Sequence, residues 1–289
     1  MERALRTQSS VTCPVCEAST VQPHAFPLRR GSHELPLLDC RTCGFIFAPD
    51  VPSDAMRHGA DFHTARHENV EAGLATVNNV HFLWYWASRL RWPAGTQILD
   101  IGCAEGRLLE AARSMGFIAA GIDVSGHDAA RWKANALTAE AAVAQEYAKT
   151  HAGNFDVIIA RAVIEHVADP AGFLRACASM LKPGGTCLIE TADAESVHAR
   201  VLGERWTYWI PAEGIGAHVS FLSRRSAAVL GSRCGLDLRD SVPSYRYLPF
   251  SWYVQERRGR GRNLLTLAKY LVHRSRLSGG RCLWFVKPT

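Results

Sequence analysis

The chain has 289 residues, 47% of them hydrophobic, nine cysteines and a formal net charge of +6. That length accommodates one full α/β domain plus a small module, and the hydrophobic content excludes a largely disordered chain. The charge is too mild to call for nucleic acid by itself, no apolar run reaches the roughly 18–20 residues of a membrane span, and the polar stretch 1–12 lacks the apolar core of a secretory signal, so a cytoplasmic protein is expected.

Cysteines in a chain without such a signal read as thiols and metal ligands rather than disulfides. Cys13-Pro14-Val15-Cys16 and Cys40-Arg41-Thr42-Cys43-Gly44 form two C-x-x-C pairs with 23 residues between them. Each turn points two sulfurs into one concavity, and together they supply the four thiolates that Zn²⁺ prefers. A redox dithiol belongs instead at the start of a helix after a strand, and two copies would be unneeded. Four sulfurs leave no open position. The metal is therefore expected to be structural, folding about 50 residues that have too little core of their own. Gly44 suits the second knuckle, and Glu17 holds the matching place in the first. Leu35 to Asp39 and Phe45 to Phe47 are expected as short strands of a zinc ribbon spanning 1–55, while His24, His33, His58, His63 and His67 read as exposed or locally bonded.

Residues 56–95 are expected to form a linker and helical cap. The connector, from Pro49 to about Asn79, leads to a helix over Val80 to Leu90 that covers the edge of the main sheet and ends at Pro93-Ala94-Gly95. Ile98-Leu99-Asp100-Ile101-Gly102-Cys103-Ala104-Glu105-Gly106 then reads as a buried strand running into a glycine-flanked turn that starts a helix. Such a turn lets a nucleotide-like ligand approach the backbone. The helix, Arg107 to Met115, places Leu108, Ala111, Ala112 and Met115 at helical spacing and stops at Gly116. A second apolar run, Phe117 to Ile122, ends at Asp123, 17 residues past Gly106, where a carboxylate suits two ribose hydroxyls.

Charge distinguishes the possible ligands. A dinucleotide lays its pyrophosphate on a G-x-G-x-x-G turn at a helix N-terminus. Here the pattern is Asp100-x-Gly102-x-x-x-Gly106, and Asp100 and Glu105 would repel that anion while favouring a ligand with an ammonium and a sulfonium. At these residues the chain resembles the class I S-adenosylmethionine-dependent methyltransferases, over roughly 75–289 and most closely over 97–192. The resemblance implies a methyltransferase domain at 96–289. Asp100, Gly102 and Gly106 would hold the methionine end of the cofactor, Asp123 the ribose, and Gln145 or Glu146 would face the adenine, with Cys103, Ala104, Val124 and Arg161 also expected among the cofactor-binding residues.

Further along, Ser125-Gly126-His127 opens a helix to about Ala136, Ala141 to Gln145 is a weak third strand, and Phe155 to Ala160 is a fourth, buried on both faces. Asp169 caps and Pro170 starts a helix with Phe173, Leu174, Cys177 and Leu181 on one face. It stops at Lys182-Pro183-Gly184-Gly185, before a fifth strand from Thr186 to Thr191. This alternation predicts an α/β fold with a doubly wound, Rossmann-like, seven-stranded sheet whose ligand sits at the strand C-terminal ends. Leu236 to Asp240 and Cys282 to Val286 are expected as strands six and seven.

Between strand four and the next helix, Glu165-His166-Val167 followed by Asp169-Pro170 is similar to the small-molecule methyltransferases of the ubiquinone-biosynthesis and sugar type. In that chemistry the enzyme mainly positions the acceptor, and a base takes its proton. His166 is the candidate base with Glu165 orienting the loop or ring; alternatively His166 only braces the loop. His218, before a helix running through Leu230, is a second candidate. The sugar C-methyltransferases that share a four-cysteine module resemble this chain only in part, since Val163 stands where they carry a tyrosine and their long C-terminal extension is missing.

Trp206, Tyr208 and Trp209 lie in a segment, 200–222, that reads either as a lid over a small substrate or as core. The insertion 248–280, with Arg257, Arg258, Arg260, Arg262, Arg274 and Arg276, and Arg281 just beyond it, is either a solvated basic face or a phosphate-binding one. Three functions follow. The leading one is methyl transfer to a small acceptor such as a nucleotide-linked sugar or another biosynthetic intermediate. Against the second, an RNA methyltransferase gripping RNA with the ribbon and insertion, strand four lacks the Asn/Asp-Pro-Pro-aromatic turn and no Pro-Cys nucleophile is present. The third is a non-catalytic binding scaffold.

Overall fold

The structure is a computed structural model that describes residues 11–30, 33–49, 72–206, 208–209, 218–244, 271 and 279–289. The connector over 50–71, with His58, His63 and His67, lies outside the described residues, as do residues 207 and 210–217 of the expected lid and nearly all of the basic insertion.

At the N-terminus, short strands β1 (Val21–Pro23), β2 (Leu28–Arg30), β3 (His33–Leu35), β4 (Leu38–Cys40) and β5 (Ile46–Phe47) follow the first cysteine pair and flank the second. β2 and β3 pair with each other, and β1, β4 and β5 form an antiparallel sheet. Both knuckles close as expected. The N–H of Glu17 donates to the Cys13 carbonyl and that of Gly44 to the Cys40 carbonyl, each at 2.8 Å, and both residues take left-handed φ, 61° and 73°. Glycine adopts that conformation freely; Glu17 bears its strain beside an ion pair with Arg233.

Helix α1 (Ala72–Leu90) starts eight residues before the expected Val80, so the end of the presumed connector is helical. It buries Phe82, Leu83 and Trp86 against β6 (Gln97–Ile101) and α2 (Arg107–Ser114), whose Leu108, Leu109, Ala111 and Ala112 face the sheet. The chain continues through β7 (Ile118–Asp123), α3 (Ala129–Ala134), β8 (Thr138–Ala141), α4 (Ala144–Tyr147), β9 (Phe155–Arg161) and α5 (Pro170–Met180). It then passes through β10 (Leu181–Ala192), α6 (Val197–Leu202), β11 (Ser220–Phe221), α7 (Arg224–Arg233), β12 (Asp237–Pro243) and β13 (Gly280–Val286). Asp169 caps α5 by accepting from the Gly172 N–H at 2.8 Å, with Pro170 in the first turn, as its sequence dictates.

The main sheet has seven strands in the order β12-β13-β10-β9-β6-β7-β8. β13 runs antiparallel to both neighbours and the remaining pairs are parallel. This is the α/β doubly wound sheet expected, and it gathers the ends of β6, β7, β9 and β10 along one edge. The third strand is shifted. It occupies Thr138–Ala141, and the residues after it, including Gln145 and Glu146, turn into α4. Among the described residues no helix is long and apolar enough to cross a membrane.

The small sheet does not stand apart from the large one. β11 adds to β5 in antiparallel register, Ser220 opposite Phe47 and Phe221 opposite Ile46. Phe45 and Phe47, ring centroids 5.5 Å apart, share one apolar core with Ile164, Leu222, Ala227 and Leu230.

Candidate functional site

The turn after β6 is held by β7. Gly102 and Cys103 donate to the Ile122 carbonyl at 2.8 and 3.1 Å, and Ala104 donates to Asp123 Oδ2 at 3.0 Å. Gly102 has φ +77°, and a Cβ built there falls 2.5 Å from Val163 Cγ2, so any other residue would be strained and would displace Val163. Cys103 turns its sulfur into the core, against Gly121. The other oxygen of Asp123 accepts from the N–H and hydroxyl of Ser125 at 3.0 and 2.8 Å. Val124, next along, is exposed.

Asp100 ends almost completely buried beside this turn. Burial pushes its carboxyl up to about 7; the Arg161 guanidinium pulls the other way and Asp123 adds a smaller upward push. Arg161, at the end of β9, is locked by Glu190 Oε2 and Asn79 Oδ1, both at 2.6 Å, and lies 4.7 Å over the Phe82 ring. Asn79, Phe82 and Glu190 carried no signal in the sequence, because what they share is an arginine far away in the chain. Glu105 departs from the electrostatic expectation. Its carboxylate is 2.5 Å from Arg107 and 3.7 Å from Arg131, so two guanidinium groups offset its charge.

Beyond β9, Ile164–His166 form a single 3-10 turn. Glu165 is buried and accepts from the Thr191 hydroxyl at 2.9 Å. Burial pushes its carboxyl up to about 7 despite the lowering effect of those hydrogen bonds. His218 lies across from the turn, its ring centroid 4.7 Å from that of His166. First burial and then the neighbouring His166 charge push His218 down to about 3, so it stays neutral, and its buried Nδ1 has no hydrogen-bond partner among the described residues. One ligand atom each from Glu165, His166 and His218 lies within 4.8 Å of the others. Such a cluster shares a proton readily, and its donors also suit a divalent cation.

The four expected cysteines converge as well. Cys13 and Cys43 sulfurs are 3.6 Å apart, Cys16 and Cys40 sulfurs 3.4 Å, and all four lie within 4.8 Å of one another. Tetrahedral zinc with sulfurs at 2.3 Å sets them about 3.8 Å apart, so the donor set and spacing fit. The mutual contact of Cys13 and Cys43 lowers the Cys13 thiol and raises that of Cys43, as two adjacent sulfurs sharing one proton do. His24, of the nearby histidines, is locally bonded to Asp39 Oδ1 at 2.6 Å.

The remaining residues lie in varied surroundings. Trp206 and Trp209 are buried in a core with Leu37 and Phe221, packed under the cysteine module rather than over a substrate. Glu146 is exposed and paired with Lys149, and Gln145 is half-buried on α4. Arg281 joins no basic face; it is buried against Asp193 at 2.5 Å.

A family model described as a methyltransferase domain matches residues 68–241. A ubiquinone biosynthesis O-methyltransferase of Thiobacillus denitrificans is 32% identical over 166 residues, 53% of this chain and 72% of that protein. One from Xanthomonas axonopodis is 30% identical over 185 residues, 61% and 76%. Among solved structures, a methyltransferase from Thermotoga maritima described as a possible histamine N-methyltransferase shares the fold with TM-score 0.53 at 18% identity, covering 80% of this chain and 99% of that one. The Haloferax volcanii complex of the Trm112 methyltransferase activator with a putative methyltransferase gives TM-score 0.56 at 20% identity, covering 81% and 98%.

Proposed function

From the premise that the chain belongs to the methyltransferase-domain family and is an S-adenosylmethionine-dependent methyltransferase, we propose that it methylates a hydroxyl group of a small biosynthetic intermediate. The carrying observation is that the glycine turn beside Asp100 and Asp123 packs through Gly102 on Val163, which begins the turn bearing His166 opposite His218. The names of the curated relatives support an O-linked, small-molecule acceptor.

S-adenosylmethionine, when bound, supplies a methyl group on a positively charged sulfur. Asp100 and the Gly102–Gly106 turn hold its methionine end, with Cys103 beneath the turn and Ala104 within it. Asp123 exchanges its Ser125 contacts for the ribose hydroxyls, and Val124 and Gln145 flank the nucleoside. Arg161, clamped by Glu190 and Asn79, balances the charge of Asp100.

His166 takes the acceptor's hydroxyl proton at a ring nitrogen. His218 remains neutral beside it, so a protonated His166 meets no second cation. Glu165, tied to Thr191, fixes the turn that carries His166. The cysteines hold zinc as a structural ion.

Incubating the chain with methyl-labelled cofactor and a small-molecule extract, then locating the label by mass spectrometry, tests this reading. Label on an oxygen of a small metabolite is expected. Label on RNA alone, or none despite bound cofactor, would overturn it.

A further inference from the structure

β11 has two residues, too few to persist as a strand without partners on both sides. On one side is the cysteine module. Ser220 and Phe221 pair with Phe47 and Ile46 of β5, and the Ala48 N–H donates to the Val219 carbonyl at 2.9 Å. On the other side is the turn bearing Glu165 and His166. The Val219 N–H donates to the Glu165 carbonyl at 2.8 Å, and the Ser220 hydroxyl to the Ile164 carbonyl at 3.2 Å. His218 is the residue immediately before this bridge. A third tie runs from the Ser223 hydroxyl to the Cys43 carbonyl at 3.1 Å, joining the start of α7 to the second knuckle itself.

The cofactor turn has different supports. The bonds described for Gly102, Cys103 and Ala104 come from Ile122 and Asp123, and Trp132 Nε1 donates to the Ala104 carbonyl at 2.6 Å. β7 and the α3 region after it supply them, and among the described residues none of these bonds comes from the module. The cofactor turn is thus held from within the large sheet, whereas the Glu165–His166 turn, tied to that sheet through Thr191, also depends on β11 and through it on a module that needs its metal to keep its shape.

We propose that the metal-loaded cysteine module is the positioning element for the acceptor side of the site, acting through Ala48 and Ser220 on the Glu165–His166 turn and on His218. The ion touches neither substrate nor cofactor. It holds the second knuckle and thereby β5; β5 holds β11, and β11 holds the proton-handling groups. This rests on the small-molecule methyltransferase reading above.

The test uses the full chain purified with zinc, compared with Cys16→Ser, Ala48→Pro, Ser220→Ala and Ser220→Thr. Amide hydrogen exchange is read by mass spectrometry, cofactor affinity by titration calorimetry with S-adenosylmethionine, and metal content by elemental analysis. Cys16→Ser and Ala48→Pro are expected to speed exchange over 164–167 and 218–222 at least tenfold, while exchange in β6 and β7 and cofactor affinity stay within about threefold. Ser220→Ala, with metal content unchanged, loses one buried hydroxyl bond and speeds exchange over 164–167 about three- to tenfold; Ser220→Thr restores it. Unchanged exchange at 164–167 and 218–222 in Cys16→Ser and Ala48→Pro, or equal loosening of β6 and β7, would overturn the proposal. A zinc-loaded chain that bound no S-adenosylmethionine would instead overturn the methyltransferase reading, whatever the exchange pattern.

Discussion

The Thr191 hydroxyl donates to a Glu165 carboxyl oxygen at 2.9 Å, joining the end of β10 to the turn after β9 inside a region from which water is excluded. Burial raises the Glu165 carboxyl from 4.5 to about 7, so between those values the folded protein holds a proton that the unfolded chain has released. Stability from this group therefore falls as pH rises through that window and levels off above it. Glu165→Gln removes the titration. Measured by denaturant unfolding, the variant should gain on the parent by an amount that grows from pH 5 to pH 8, on the order of 1–3 kcal/mol.

Asp100 gives a pH dependence to binding as well as to folding. Its carboxyl is pushed up to about 7 by burial, and a protonated Asp100 offers no charge to a cationic ligand. Affinity for S-adenosylmethionine should weaken about tenfold between pH 7.5 and pH 6, because one pKa unit corresponds to a tenfold population change. Asp100→Asn should bind weakly at both pH values with the dependence flattened. Calorimetric titration reads both.

Asp123 places one oxygen on the Ala104 N–H and the other on Ser125. Asp123→Ala deletes the ribose acceptor and also the tie between β7 and the cofactor turn. Loss of charge-assisted hydrogen bonds should cost about 1.5–3 kcal/mol, or roughly ten- to a hundredfold in cofactor affinity. Affinity equal to the parent's would remove Asp123 from the ribose.

His166→Asn should separate chemistry from binding. Losing a general base lowers turnover about 10²–10⁴-fold, with S-adenosylmethionine affinity within twofold of the parent. If His218→Asn proves the more damaging of the two in single-turnover methyl transfer, the base assignment moves to His218.

The elements that sequence made visible are those whose determinants are local. β6 and its glycine turn, β7 ending on Asp123, the capped α5 and both cysteine knuckles each follow from patterns within a dozen residues, including the place that Glu17 shares with Gly44. β8 was misplaced because Thr138–Ala141 lies at the sheet edge with little buried, so it has no apolar run to announce it. Trp206 and Trp209 look alike as cover or core until Leu37, more than 160 positions earlier, is seen packed on them. Arg107 and Arg131 likewise alter the meaning of Glu105 only once the chain is folded.

Pairing of Phe47 with Ser220 spans 173 positions of sequence, which has a consequence for synthesis. At the roughly 5–20 residues per second of a ribosome, the edge of β5 stays without its partner for about ten to thirty seconds after it emerges. An open strand edge is a template for pairing with other chains. Metal bound early by the cysteines would fold the nascent segment around β5 and shorten its time as a loose chain, so zinc-starved cells should accumulate this polypeptide in aggregates.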